Sequence, residues 1–570
     1  MDLKKIYLRR ISELENAIGN FDSIYINDSS SIFNGSGVSF DMLPETMLPS
    51  GNATISILLY CCKDSKYYHD DSILHYVTEA CAAIERRIYD DGTVNLLASN
   101  FHTPEQFGLR YIGTMAMTWN AHRSFSAEEE KAFSAFKHLI RRFSDGCING
   151  GFHTPNHRWI ETAGLLLAYN VLGEGNEDLL EKAEKYMAEG IDCDEYGEFS
   201  ERSAGMYNAH CDMAFLSIYR ATKKKEYLDA VCRNLRLMQY YLNDDFTMFT
   251  QNSRRKDKGE VGAMPLFSKA MTYNSDIYAE HYLETACITG DPFFAKMAEE
   301  IYEHARRNGR WGGFSLRIFL DFPEIIEKPF DTSSVSLASE YESYLPASNI
   351  VRYKKDGLSI SFLAQNPSFL QIDYHDIKLR VRMCASFFAV AQFVPETLEK
   401  TDYGYRMKMH AHADYKLPLE HPDESCKKYW TIDYGARKSI QEKDLYLTAE
   451  LTIKDGEIRL HTAAEDCPDV PFKIELNVNP GLNLMAGDTV LRTTSGGNAF
   501  FRSGEVSLFS PYGYHMNISG LFCKHLYAAN MRGSEFPLDG AFTIYGTDFT
   551  PCDHTLDISF GKNTSCAHIC

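Results

Sequence analysis

The sequence predicts an α+β multidomain protein, an N-terminal (α/α) toroid of helical hairpins followed by a C-terminal antiparallel β-sandwich. Three observations predict it. The chain has 570 residues, too many for one simple core. Its first 310 or so residues repeat an apolar helix, a polar turn and a returning helix. After Pro323 the apolar period changes to two.

The hairpins come in order. Asn52 to Tyr60 turns through Lys63-Asp64-Ser65 into a helix near Asp71 to Arg87. Met115 to Asn120 turns through Arg123-Ser124 into Ala127 to Arg142. Thr162 to Val171 turns through Gly173-Glu174-Gly175 into Leu179 to Met187. Met213 to Thr222 turns through three lysines into Tyr227 to Tyr241, and Ile277 to Thr289 through Gly290-Asp291-Pro292 into Phe293 to Arg307. The spacing, roughly 45 to 70 residues, is too long and uneven for a tetratricopeptide array. A ring of hairpins gathers its long links at one end, where they build a cleft. An open helical solenoid that binds a protein is the alternative.

Further on, Leu358 to Phe362 and Ile377 to Val381 alternate, and Asp455-Gly456 between two apolar runs signals a hairpin. Other runs flank Gly496-Gly497 and Ser503-Gly504. Short strands with regular turns imply an antiparallel sandwich. The boundaries are 1–325 for the toroid, 326–348 for a linker and 349–570 for the sandwich.

A net charge of -20 argues against nucleic acid and against an anionic membrane as partners. A local basic cleft can still take an anion. The 15 Cys are scattered without paired C-x-x-C knuckles, and the N-terminus lacks an apolar leader core. A reduced, cytoplasmic protein is the expectation, with no membrane span. The 34 Tyr suit both sugar stacking and helix interfaces.

Four stretches carry chemistry. In GGFHTPNHRWIETAGLLLAYN, Asn156, His157, Arg158 and Trp159 stand at the mouth of a helix, and Pro155 holds Thr154 extended. Glu161, four residues after His157, is placed to orient the imidazole. In DEYGEFSERSAGMYNAHCDMAF, Glu201, Tyr207 and His210 precede the next inner helix, the equivalent place one hairpin later. In QNSRRKDKG, Arg254 and Arg255 offer forks for carboxylate or sulfate. Asn100, His102 and Gln106 lie before another helix and suit sugar hydroxyls.

These stretches resemble the heparinase II/III-like and alginate-lyase group of polysaccharide lyases. The Asn156-His157 pair, with Tyr207 about 50 residues on, carries the likeness. The resemblance implies β-elimination on a uronic-acid polysaccharide or oligosaccharide, glycosaminoglycan before alginate. It assigns Asn156 to the substrate carboxylate and His157 and Tyr207 to proton transfer. Arg158, Trp159, Arg254, Arg255, Asn100, His102, Gln106, His210 and Glu201 are the substrate-binding candidates. No cofactor is required by this chemistry. Some relatives hold a divalent metal in the sandwich, which makes Asp373, His375, His410 and His412 candidates here. Two rivals stay open. A glycoside hydrolase of the unsaturated-glucuronyl type would use Asp194, Glu198, Glu201 or Asp212. A non-catalytic scaffold would bind glycan unchanged.

Overall fold

The computed structural model describes residues 1–19, 50–96, 100–258, 273–310, 314–422, 424–528 and 531–562. The chain forms two compact units, one of Met1–Phe249 with Tyr273–Leu337, the other of Thr250–Thr272 with Ala338–Cys570.

The first unit is helical. Its described helices are α1 (Leu3–Ala17), α2 (Ser50–Cys61), α3 (His75–Glu85), α4 (Gln106–Ala121), α5 (Ala127–Asn149), α6 (Pro155–Leu172) and α7 (Glu177–Ala188). They continue as α8 (Tyr207–Thr222), α9 (Lys225–Tyr241), α10 (Ala279–Thr289), α11 (Pro292–Arg307), α12 (Leu316–Asp321) and α13 (Glu324–Glu327). Each expected hairpin is present: α2 with α3, α4 with α5, α6 with α7, α8 with α9 and α10 with α11. The inner helices pack in sequence, α2 on α4, α4 on α6, α6 on α8 and α8 on α10, while α12 packs on α2 and α4. Burial follows from composition. Ile160 to Ala168 of α6 is buried on all sides, as an inner helix must be, whereas α9 and α11 keep charged outer faces.

Helix starts are fixed locally. Glu105 caps α4 by accepting from Gly108 N, so α4 begins nine residues before the apolar run expected at Met115. Pro155 occupies the first turn of α6 behind an extended Thr154. Ser203 Oγ accepts from Tyr207 N at 3.0 Å, and Asn208 Oδ1 accepts from Ser203 N at 3.1 Å, which pins the start of α8.

The second unit holds, among its described residues, a nine-stranded and an eight-stranded sheet around one apolar core. Pairings are antiparallel except that Asn498–Phe500 runs parallel to Phe542–Phe549. Gly404–Lys416 pairs with Ser439–Lys454, which pairs with Glu457–Asp466 across the Asp455-Gly456 turn. Both turn residues have positive φ, 52° and 81°, as that tight turn demands. Within 326–348, expected as a linker, Tyr341–Leu345 is an edge strand on Ile350–Lys355. Ser503-Gly504 is not a turn but the irregular start of strand Ser503–Phe509. No described helix is long and apolar enough to cross a membrane.

Candidate active site

Three inner helices begin side by side, and their first turns share contacts. In α4, Gln106 Nε2 donates to His157 Nδ1 of α6. The Phe107 ring meets His157 edge-on at 5.3 Å and His210 of α8 edge-on at 5.4 Å. His210 meets the Tyr207 ring edge-on at 5.9 Å. His157, Tyr207, His210 and Gln106 are thereby brought into one cluster, and Asn156 precedes His157 at the start of α6. The positive dipole ends of α4, α6 and α8 meet here, a setting that favours an anion. The first-turn N–H groups of Gly108, Asn156 and Tyr207 are themselves taken up by Glu105, Glu201 and Ser203.

Asn156 is fully buried. Its Nδ2 donates to Glu201 Oε2 at 2.8 Å and lies 3.0 Å from Oε1 and 3.2 Å from Thr154 Oγ1. Asn156 N also donates to Glu201 Oε2, at 3.2 Å. Turning the amide would set Oδ1 against the Glu201 carboxylate, so Glu201 fixes which way Asn156 faces. Asn156 Oδ1 is buried and has no hydrogen-bond partner among the described residues. Glu201 is thus the group that holds Asn156, rather than a group presented to a ligand.

Burial, with His281 and Arg110 adding repulsion, brings the His210 imidazole down to about 4. It is neutral at physiological pH.

The other expected residues make other contacts. Trp159 is fully buried against Phe215 and Tyr227, and its Nε1 donates to Asp192. Arg158 stacks on Trp159 at 4.3 Å and pairs with Glu189 at 2.8 Å and Asp192 at 3.2 Å. Both are corrected from substrate-binding to packing roles. His157 and Trp159 stand about 200° apart round the helix, so they cannot share a face. Glu161 does not orient His157; its Oε1 accepts from Tyr186 OH at 3.2 Å. His102 is exposed and stacks on Tyr89 at 4.1 Å in a small hairpin that pairs Asn100–Thr103 with Val94–Leu96, and Asn100 belongs to the same hairpin. Arg254 and Arg255 lie in the second unit, Arg254 exposed and Arg255 half-buried.

The hydrolase carboxylates are engaged in the fold. Asp194 Oδ1 accepts from Tyr196 N and Glu198 N. Glu198 accepts from Asn208 at 3.0 Å and from Tyr241 OH at 2.6 Å. Asp212 is fully buried without a hydrogen-bond partner among the described residues, and burial pushes its carboxyl well above the usual range.

The metal candidates separate. Asp373 pairs with Arg380 at 2.7 Å, and His375 stacks on Tyr514 at 3.7 Å. His410 Nε2 and His412 Nδ1 both face Asp444 Oδ1, at 2.7 and 2.9 Å, on the adjacent strands Gly404–Lys416 and Ser439–Lys454. Two imidazoles and a carboxylate within 4.8 Å of one another form a donor set that suits a divalent transition ion. Asp444 went unnoticed in the sequence because only strand pairing places it there. The only sequence cue was the His-x-His spacing that puts both rings on one strand face.

No family model and no curated protein matches the sequence. Solved structures do match. Heparan sulfate lyase HepC from Pedobacter heparinus aligns over 97% of this chain and 83% of its own, at 9% identity and TM-score 0.50. Chondroitin AC lyase from Streptomyces coelicolor A3, in complex with chondroitin sulphate, aligns over 98% of this chain and 80% of its own, at 11% identity and TM-score 0.49. With its helical hairpins followed by antiparallel sheets, the chain has the heparinase-like polysaccharide lyase fold.

Proposed function

We propose that this protein is a polysaccharide lyase that cleaves uronic-acid-containing polysaccharide or oligosaccharide by β-elimination, leaving 4,5-unsaturated uronate ends. Glycosaminoglycan is the first substrate class and alginate the second. The carrying observation is that an amide and an imidazole at the start of α6 stand beside a phenol at the start of the adjoining helix α8. HepC, which shares the fold, acts on heparan sulfate by its name, and that supports glycosaminoglycan.

Elimination requires the C5 proton to leave while the C6 carboxyl is neutral or well stabilised. The Asn156 N–H groups are committed to Glu201 and Thr154, which leaves Oδ1 as the free acceptor. A C6 carboxyl in its acid form donates to that Oδ1, and its neutrality acidifies C5–H. A hydrogen-bond donor aimed at the developing enolate is worth roughly 3 to 4 kcal/mol of barrier. His157 takes the C5 proton, the C5–H electrons form the C4=C5 double bond, and the C4–O bond breaks. Tyr207 gives its proton to the leaving oxygen. Where the C5 proton lies on the opposite face of the ring, Tyr207 serves as base instead. Gln106 bears on the tautomer: as placed, its Nε2 donates to Nδ1 and leaves the ring proton on Nε2, so Nε2 serves as the base only with the amide turned and its carbonyl accepting from Nδ1–H. A divalent ion is not needed for these steps; His410, His412 and Asp444 would hold one in a structural role.

Incubation with hyaluronan, chondroitin sulfate, heparan sulfate and alginate tests the reading. Absorbance of the unsaturated uronate rises on at least one uronan and is abolished in His157→Ala and Tyr207→Phe with circular dichroism unchanged. A flat trace on every uronan removes the lyase assignment, and near-normal rates in either variant remove that residue from the mechanism.

A further inference from the structure

A cavity of about 370 Å³ lies among α2, α4, α8, α10 and α12, within the helical unit. Its size is at the small end for ligand pockets, which run from roughly 300 Å³ upward. Its walls are charged. Arg317 pairs with Glu280, Glu284 and Asp321, each at 2.8 Å, and Arg220 pairs with Asp321 at 2.8 Å and Glu284 at 3.4 Å. Burial alone would raise the Glu284 carboxyl, but Arg317 and then Arg220 outweigh it and hold it at about 2. Three carboxylates therefore share two guanidinium groups.

The third cation is Arg110, one helical turn below Gln106 and Phe107. Among the described residues no carboxylate lies within 4.0 Å of it. Among the described residues its one hydrogen bond runs from Nη1 to Ser217 Oγ at 3.5 Å, and its buried Nε has no partner there. His281, on the same cavity, also has a buried Nδ1 without a partner among the described residues. A guanidinium carries five donors, and leaving them unmet away from water is costly. On one wall the cavity thus presents a guanidinium with no carboxylate partner among the described residues, and on another it presents carboxylates held by other cations, Asp276 by Arg310 at 3.0 Å and Glu280 and Glu284 by Arg317.

We propose that this cavity binds a sugar acid, a polyhydroxy molecule of about one sugar ring with a single carboxylate, and that Arg110 receives the carboxylate. The hydroxyls donate to Glu280 and Asp276 across the cavity and pair with His281. A bare inorganic anion satisfies Arg110 but meets the acidic wall, and a neutral sugar leaves Arg110 unmatched. The site adjoins the helix-start cluster, since His210 feels both Arg110 and His281. As a place for the terminal uronate of a substrate or product it rests on the lyase reading. Binding needs no turnover, so the two readings fail separately.

Calorimetric titration of the full chain with glucuronate, glucose and sulfate is the test. Glucuronate binds at least about tenfold more tightly than glucose or sulfate. Arg110→Gln reduces glucuronate to the level of glucose, and Arg110→Lys, which keeps charge without the fork, lies between. Glucuronate no tighter than glucose, sulfate as tight as glucuronate, or wild-type glucuronate affinity in Arg110→Gln each overturns the proposal. Should Arg110→Gln fail to fold, the wild-type selectivity and Arg110→Lys decide.

Discussion

Glu201 decides what Asn156 can do. The carboxylate is buried, and it is compensated by the amide and backbone N–H groups of Asn156. Removing it frees the Asn156 amide to rotate, so the Oδ1 acceptor loses its fixed direction. Glu201→Ala lowers kcat on a uronan by about 10- to 100-fold, the usual cost of losing a group that orients a reacting one. KM and the helical circular dichroism change little, and a rate within twofold of wild type would show that Asn156 needs no such anchor. Asn156, His157 and Tyr207 were legible because a helix mouth is a local feature, written in Pro155 and in polar residues before an apolar run. The hold of Glu201 on Asn156, the place of Phe107 between two histidines and the isolation of Arg110 were not. Each is a contact between residues far apart in the chain, and no periodicity records it.

At the scale of elements, hairpins and the Asp455-Gly456 turn were legible because periods of 3.6 and 2 and a positive-φ turn are properties of short windows. Contacts between elements can reverse what such a window implies, and α5 provides the case. Gly146 stands inside this 23-residue helix, where alanine ordinarily gains about 1 kcal/mol. A Cβ there would lie 2.2 Å from the carbonyl oxygen of Gly92, and a Cβ on Gly92 would lie 2.3 Å from Gly146 N. Backbone meets backbone, so neither side can give way as a flexible side chain would. Gly92 also has φ 83°, which disfavours any side chain there. Gly146→Ala therefore destabilises the helical unit, by about 1 to 3 kcal/mol, the range for overpacking. Urea unfolding followed by helical circular dichroism checks the sign, and a raised midpoint would mean that the turn at Gly92 yields.

For the whole molecule, the order of a helical half and a sheet half was legible from the change of period at Pro323. The membership of Thr250–Thr272 in the second unit was not, because a segment inserted between helices carries no mark of the domain it joins. Stability against pH is likewise a property of the whole fold. Glu161 is fully buried in α6, with Oε1 on Tyr186 OH and Oε2 without a partner among the described residues. Burial raises its carboxyl from 4.5 to about 7, against a smaller lowering by Tyr186. Between those values the folded chain keeps a proton that the unfolded chain has released, so stability falls as pH rises through the window. The loss accumulates to about 3 kcal/mol and is complete above pH 7, while below 4.5 it is absent. Asp212, raised by burial, acts in the same sense, whereas His210 and His281, both lowered to about 4, act in the opposite one. Those contributions are common to wild type and Glu161→Gln and cancel in their difference. The stability of Glu161→Gln relative to wild type therefore climbs by about 3 kcal/mol from pH 4.5 to 7 and is level on either side. Urea titrations of both proteins at pH 4.5, 6 and 7.5 measure that difference, and a constant gap would place the Glu161 proton outside the linkage.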